Sequence, residues 1–138
     1  MSPKVSLEIR KYVWQRANGC CEYCGIHDKD SFYPHELDHI LPIKHGGITE
    51  PNNLALSCFY CNRYKGANIA SIDSATGKLE LLFNPRKQEW EDHFILIENE
   101  IVHLSPTGKV TAIILKFNHP KRLLERQLLI ELGFYPHK

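Results

Sequence analysis

Four cysteines have the spacing of metal ligands. Cys21 and Cys24 form one C-x-x-C pair, and Cys58 and Cys61 form a second pair further along the chain. A two-residue gap lets both sulfurs of a pair face one ion, and four thiolates complete the tetrahedral shell that Zn²⁺ prefers. A four-cysteine site has no open position, so the zinc that this pattern predicts is structural. Free thiols with a redox C-x-x-C are the alternative, but the strand and helix context of a thioredoxin-like site is lacking.

The fifth cysteine, Cys20, directly precedes Cys21 and could compete with it as a ligand. We prefer Cys21, because its spacing to Cys24 repeats the spacing of the second pair. An odd number of cysteines also argues against a framework of disulfides.

A carboxylate and a histidine stand side by side in the apolar stretch "ELDHILPI". Adjacent side chains of a strand point to opposite faces, so Asp38 and His39 cannot both belong to one buried apolar surface. Asn62 directly follows Cys61, where a short helix could project it toward Asp38. Oxygen ligands from Asp38 and Asn62 suit a hard cation such as Mg²⁺. His39, with an ordinary pKa of about 6.5, could accept a proton beside that ion.

The elements that must position these residues follow from capping and periodicity. Ser6 can cap a first helix, which Asn18 and Gly19 would end. Residues 36–40 are predicted to form a strand, and residues 52–58 a returning strand after a broad turn at "HGG". A short helix should then run from Phe59 to Gly66. The local order is strand, long turn, strand and helix.

Three segments, "LDHILPIKHGG", "NNLAL" and "CFYCNRYKG", resemble the HNH endonuclease motif, the ββα-metal finger, in its zinc-stapled form with two C-x-x-C pairs. The resemblance covers about residues 16–68. It implies that Asp38 is a metal ligand, His39 the general base, Asn53 the central asparagine that orients the His39 loop, and Asn62 the second metal ligand. Many members have a histidine at the last position, and Asn62 favours Mg²⁺ or Mn²⁺ over the other transition metals.

The function implied by the resemblance is metal-dependent hydrolysis of phosphodiester bonds in DNA, with double-stranded DNA as the expected partner. One site cuts one strand, so the enzyme would be a nickase, or an endonuclease that acts as a dimer or by two independent nicks. Arg16, Arg63 and Lys65 flank the site in sequence and could hold phosphates, although each could equally be an ordinary surface charge. The formal net charge of +1 does not itself indicate a nucleic-acid binder.

A different class of function remains open, namely a catalytically silent zinc-finger module that binds DNA or RNA. The presence of Asp38, His39, Asn53 and Asn62 together favours the enzyme, because a binding module has no need of a general base.

The whole chain, residues 1–138, is predicted to be a single α+β domain. Its ββα-metal core with a structural zinc site would occupy about residues 16–68, and strands and helices of an extension, about residues 69–138, would pack on it. In that extension, "RKQEWEDHF" is a helix candidate, "FILIENEIVHL" suggests two short strands, and Thr107–Phe117 and Pro120–Leu132 are predicted helices.

The apolar stripe of Leu124, Leu128 and Leu132 in the last predicted helix could be core or a dimer surface, so a monomer and a homodimer are both open. The sequence has no run of 18 apolar residues and no apolar stretch near its N-terminus, so a soluble cytoplasmic protein without a membrane partner is expected.

Overall fold

The structure is a computed structural model that describes residues 5–137; residues 1–4 and 138 lie outside the description. Its helices and strands follow one another as short, separate elements. The helices are α1 (Leu7–Arg16), α2 (Phe59–Lys65), α3 (Pro106–Ile114) and α4 (Pro120–Glu131). The strands are β1 (Glu36–His39), β2 (Leu54–Ser57), β3 (Ala70–Ile72), β4 (Leu79–Leu81), β5 (Phe94–Ile97) and β6 (Glu100–His103).

The strands pair as three antiparallel hairpins, β1 with β2, β3 with β4, and β5 with β6. In the first hairpin Asp38 lies opposite Ala55 and His39 lies opposite Leu54. Helix α2 follows β2 directly, which completes the predicted order of strand, turn, strand and helix. The predicted α+β class with a ββα core is confirmed.

Helix α1 begins as its sequence predicts, because the Ser6 side chain accepts a hydrogen bond from the backbone N–H of Ile9. It packs on the first hairpin through a small buried cluster. Val13, Leu54 and Leu56 form this cluster, and each is at most 2% exposed. Helix α1 is thereby fixed against β2, the strand that leads into the second cysteine pair.

The larger core is shared between the cysteine region and the C-terminal half of the chain. Phe94 and Phe117, at 1% and 0% exposed, pack in the same cluster as Tyr23 and the four paired cysteines. Burial of one such aromatic side chain stabilises the fold by roughly 1.5–3 kcal/mol. A shared core is what a single domain over residues 1–138 requires, and that domain boundary stays a prediction.

The predicted helix in "RKQEWEDHF" is wrong, since the segment forms turns and a short 3₁₀ turn at Trp90–Asp92. The Asn84 side chain accepts hydrogen bonds from the N–H groups of Arg86 and Lys87, which fixes a turn there. The Trp90 indole then donates to the carbonyl of Tyr23 and anchors the segment on the core. Local helix propensity is overridden by this tertiary contact.

The other predictions for the extension are confirmed. The two strands occur as β5 and β6, and the two helices as α3 and α4. Leu124, Leu128 and Leu132 are 62%, 52% and 65% exposed, so the stripe on α4 is not part of the core of this chain.

Within residues 5–137, no helix is both long enough and apolar enough to span a membrane.

Candidate metal centre and active site

The four paired cysteines converge on one point in the interior. Their sulfur atoms all lie within 4.8 Å of one another, and the four residues are at most 3% exposed. The sulfurs of Cys24 and Cys58, one from each pair, are 3.7 Å apart. A tetrahedral Zn²⁺ with Zn–S bonds of about 2.3 Å requires sulfurs about 3.8 Å apart. These cysteines therefore fit a structural zinc ion, as their spacing predicts.

Cys20 is not a member of this cluster. It is half-buried, and its sulfur lies 3.7 Å from the carbonyl oxygen of Asn18. In each true pair, by contrast, the backbone N–H of the second cysteine donates to the sulfur of the first at 3.4 Å, from Cys24 to Cys21 and from Cys61 to Cys58. Such N–H···S bonds orient the thiolates of a metal site. The choice of Cys21 over Cys20 is consistent with this geometry.

Arg122 of α4 reaches the cysteine cluster from the other half of the chain. Its guanidinium donates to the sulfur of Cys61 at 3.1 Å, to that of Cys58 at 3.7 Å and to the carbonyl of Leu115 at 2.7 Å. Burial alone would lower the pKa of Arg122, but the neighbouring cysteines outweigh it and raise that pKa. A Zn²⁺ ion with four thiolates carries a net charge of −2, of which this arginine offsets half. The sequence gives no local signal for this contact, because Arg122 lies 61 residues from Cys61.

Asp38 is buried in an ion pair. It is 4% exposed, accepts a hydrogen bond from the Tyr23 hydroxyl at 2.6 Å, and lies 3.1 and 3.2 Å through its two oxygens from the ammonium of Lys65. Burial raises the pKa of Asp38, while Lys65 and Tyr23 act in the opposite direction. The carboxylate is thus fixed on the face of β1 that meets α2.

Lys65 has an interior position that does not suit the phosphate contact predicted for it. It is 2% exposed, and besides Asp38 its ammonium donates to the carbonyls of His39 and Ile40 at 3.1 and 3.2 Å. All three donor positions of the ammonium are therefore used inside the protein. Lys65 ties the end of α2 to the end of β1, where His39 lies.

Asn62 lies on the same side of α2 but contacts a different carboxylate. Its amide nitrogen donates to Glu36 at 2.7 Å, and Glu36 is two residues before Asp38 on the same face of β1. The amide oxygen of Asn62 is left for another partner. Asp38 is thus paired with the ammonium of Lys65, and the amide nitrogen of Asn62 is bound to Glu36. The Mg²⁺ site stays a prediction.

His39 lies on the opposite face of β1 and is half-buried. Its Nε2 is 2.9 Å from the hydroxyl of Thr49, which lies in the loop between β1 and β2. Burial lowers the pKa of His39 below its ordinary value; Lys65 also lowers it and Asp38 raises it. The ring is therefore neutral near pH 7, which is the form that accepts a proton.

Asn53 closes the loop that carries Thr49. Its side-chain oxygen accepts from the N–H of Leu41 at 2.8 Å, and its nitrogen donates to the carbonyls of Leu41 and Ile48 at 2.9 Å each. Gly47 packs in the same place, where a Cβ would lie 1.7 Å from the Leu41 carbonyl oxygen. This clamp is compatible with an asparagine that orients the His39 loop, and that role of Asn53 stays a prediction.

Two of the predicted phosphate-binding residues differ in exposure. Arg16 is half-buried and donates to the carbonyls of Pro51 and Leu54 at 3.0 and 2.6 Å, so it ties α1 to the start of β2. The Arg63 side chain is 63% exposed and lies 4.0 Å from Glu36. Of Arg16, Arg63 and Lys65, Arg63 is the most exposed.

One segment of the chain matches a known protein family. Residues 21–68 match the family model described as HNH endonuclease. No curated protein and no solved structure matches the chain. The matched segment includes both cysteine pairs and the positions Asp38, His39, Asn53 and Asn62. Residues 21–68 are thus similar to an HNH endonuclease domain, and the four cysteines placed for a zinc site fit its zinc-stapled form.

Proposed function

We propose that this protein is a metal-dependent DNA endonuclease or nickase in which His39 is the general base. The observation that carries the proposal is the position of His39, a half-buried histidine beside the hydroxyl of Thr49 on the β-hairpin of the segment that matches the HNH model. Nuclease activity is the general property of that family, and the cysteine cluster supplies the structural zinc site of its stapled form.

His39 can take a proton from a water molecule that attacks the phosphorus atom. The hydrogen bond to Thr49 fixes the orientation of the ring, and the Asn53 clamp fixes the loop to which Thr49 belongs. Proton transfer of this kind accelerates a reaction by roughly 10² to 10⁴-fold. The hydrolysis would leave a 5′ phosphate and a 3′ hydroxyl, as the family resemblance implies.

The proposed second cofactor is Mg²⁺ or Mn²⁺, with Asp38 and Asn62 as its ligands. When bound, such an ion neutralises charge that develops on the phosphate and on the leaving oxygen. Lys65 must release Asp38 before that carboxylate can bind a cation. The amide of Asn62 on α2 lies beside the partly exposed carboxylate of Glu36, which is two residues before Asp38 on β1.

A DNA- or RNA-binding module without catalysis is the second candidate. The buried Asp38–Lys65 pair favours it, because an aspartate neutralised by lysine has a structural role that needs no metal ion.

Cleavage of supercoiled plasmid by the zinc-loaded protein tests the proposal. We expect nicked circles in the presence of Mg²⁺ or Mn²⁺ and none without added divalent ion, while elemental analysis shows that zinc is retained in every sample. Linear product that appears together with nicked circles would indicate coupled cutting of both strands. A folded, zinc-loaded protein that retards DNA but cuts neither plasmid nor single-stranded DNA would support the binding module instead.

A further inference from the structure

Five aromatic rings form a continuous surface beside the HNH core. We call this surface the aromatic band; its members are Phe32, Tyr33, Phe59, Tyr60 and Tyr64. The centroids of successive rings are 4.9, 4.4, 5.4 and 6.4 Å apart along that order. The rings of Tyr33 and Phe59 are stacked at an interplanar angle of 28°, so the band joins the loop before β1 to helix α2.

Helix α2 carries three members of the band, and it carries the proposed active-site residues on a different face. Its 3.6-residue period separates two sets of side chains. One set faces the zinc site and β1: Cys61, Asn62 and Lys65. The other set faces outward: Phe59, Tyr60, Arg63 and Tyr64. The zinc site and the buried Lys65 thus hold the helix that presents the band in a fixed orientation.

The exposure of the band is unusual for apolar side chains. Phe32 is 90% exposed, Tyr33 44% and Tyr60 41%. An exposed phenylalanine contributes almost none of the stabilisation that burial would give. The stability of the fold therefore does not account for a phenylalanine at position 32. Contiguous exposed apolar groups with polar neighbours mark binding surfaces.

Cations lie directly against the rings. The guanidinium of Arg63 is 4.7 Å from the centre of Phe59, and the ammonium of Lys116 is 4.9 Å from the centre of Tyr64. A groove of about 240 Å³ continues from Tyr60 and Tyr64 to Lys121. Its lining is completed by His119, by the half-buried carboxylate of Glu125, and by Arg122, whose charge is directed at the cysteines.

This combination of groups has a specific chemistry. Single-stranded nucleic acid is bound by aromatic rings on which bases stack and by cations that follow the backbone. A duplex hides the flat faces of its bases between neighbouring base pairs, so the band can use its rings only on unpaired bases. An acidic protein partner would use both the cations and the rings, but the match of residues 21–68 to the HNH endonuclease model favours nucleic acid.

We propose that the aromatic band binds an unpaired segment of a DNA strand, with bases stacked on Phe32 and Tyr60 and phosphates held by Arg63, Lys116 and Lys121. The inference rests on the proposed function, since it names the form of DNA that the nuclease engages. Arg63 connects the band to the proposed active site, because it also approaches Glu36, the hydrogen-bond partner of Asn62. A strand that lies on the band therefore leads to the face of β1 that carries Glu36 and Asp38.

Fluorescence anisotropy with labelled oligothymidylate tests the inference without cleavage, because no divalent ion is added. The double variant Phe32→Ala/Tyr60→Ala removes two exposed rings, and Phe134→Ala, which removes an exposed ring outside the band, is the matched control. One lost stacking interaction corresponds to roughly 5- to 150-fold in affinity. We expect the affinity of the double variant for oligothymidylate to fall by at least about 5-fold. The affinity of Phe134→Ala should be unchanged, and that of Tyr60→Phe should be close to the wild-type value.

A duplex of the same length separates this inference from the proposed function. Weaker binding of oligothymidylate by the double variant, with unchanged binding of the duplex, would support the band as a site for unpaired DNA. Equal binding of both DNA forms by the wild type and the double variant would overturn it, even if the wild type cuts plasmid. If the wild type cuts no DNA but the double variant binds oligothymidylate more weakly, the band is supported as a site for unpaired DNA and the proposed nuclease activity is refuted. Zinc content and urea unfolding of each variant show that the fold is preserved.

Discussion

Replacement of Arg122 by methionine tests how the C-terminal extension supports the zinc site. The substitution keeps much of the apolar length of the side chain but removes the donors to Cys61, Cys58 and Leu115. It leaves a buried zinc–thiolate group without the cation that offsets its charge. Since zinc binding and folding are coupled in such sites, we expect both to weaken.

The magnitude follows from the kind of contact that is lost. Removal of one partner from a buried charged pair costs about 3–5 kcal/mol, and a hydrogen bond to a charged group contributes roughly 1.5–3 kcal/mol. We therefore expect the free energy of unfolding of Arg122→Met to fall by about 3–5 kcal/mol, a large part of the roughly 5–15 kcal/mol that stabilises a typical domain. Loss of a group that orients metal ligands typically lowers metal affinity by roughly 10–100-fold.

Arg126→Met is the matched control for this experiment. Arg126 lies one turn further along α4, is 5% exposed where Arg122 is 6%, and donates to the carbonyls of Asn99 and Phe117 rather than to sulfur. Urea unfolding measures the stability of both variants, and transfer of zinc to a colorimetric chelator measures metal affinity. We expect both variants to be destabilised but only Arg122→Met to lose zinc at low chelator concentration. Equal zinc affinity in the two variants would refute the role of Arg122 at the thiolates.

Three further substitutions test other parts of the site. Cys58→Ser should abolish stoichiometric zinc in elemental analysis and unfold the protein, because zinc binding contributes on the order of 10 kcal/mol; a folded, zinc-free variant would contradict this. Lys65→Met should lower the free energy of unfolding by about 3–5 kcal/mol, because Asp38 is left buried and unpaired, and the double variant Asp38→Asn/Lys65→Met should recover part of this loss. If the single and double variants unfold at the same urea concentration, the ion pair is not the cause. Asn53→Ala should slow plasmid cleavage while zinc content stays unchanged, because the loop that holds Thr49 loses its clamp; an unaltered cleavage rate would show that the loop is held by other contacts.

The sequence predicts the cysteine cluster well, because short repeated spacings report directly on metal geometry. Helix α1 and the ββα order also follow from local signals, namely the Ser6 cap and the alternation of residues in the strands. The inward position of Lys65 could have been inferred from its spacing, since it lies three residues after Asn62 and so on the same helix face. The charge of Lys65 favours a surface position, but the ion pair with Asp38 holds its ammonium in the interior.

Contacts between distant segments could not be predicted in this way. Arg122 meets Cys61 across 61 residues, and no local pattern reports such a contact. The segment around Trp90 is a helix candidate in the sequence, and the indole contact with the carbonyl of Tyr23 anchors it in another conformation. The exposure of Phe32 is likewise visible only once the fold shows that no core residue covers it.

The most direct test of the account compares plasmid cleavage by His39→Ala and by His103→Ala at equal zinc content. His103 is an exposed histidine of β6 in the C-terminal half, so its loss controls for removal of an imidazole. If His39 is the general base, cleavage in Mg²⁺ or Mn²⁺ falls by roughly 10² to 10⁴-fold in His39→Ala and is unchanged in His103→Ala, with equal urea midpoints for both. Cleavage by His39→Ala at the wild-type rate would contradict the assignment of His39 as the general base.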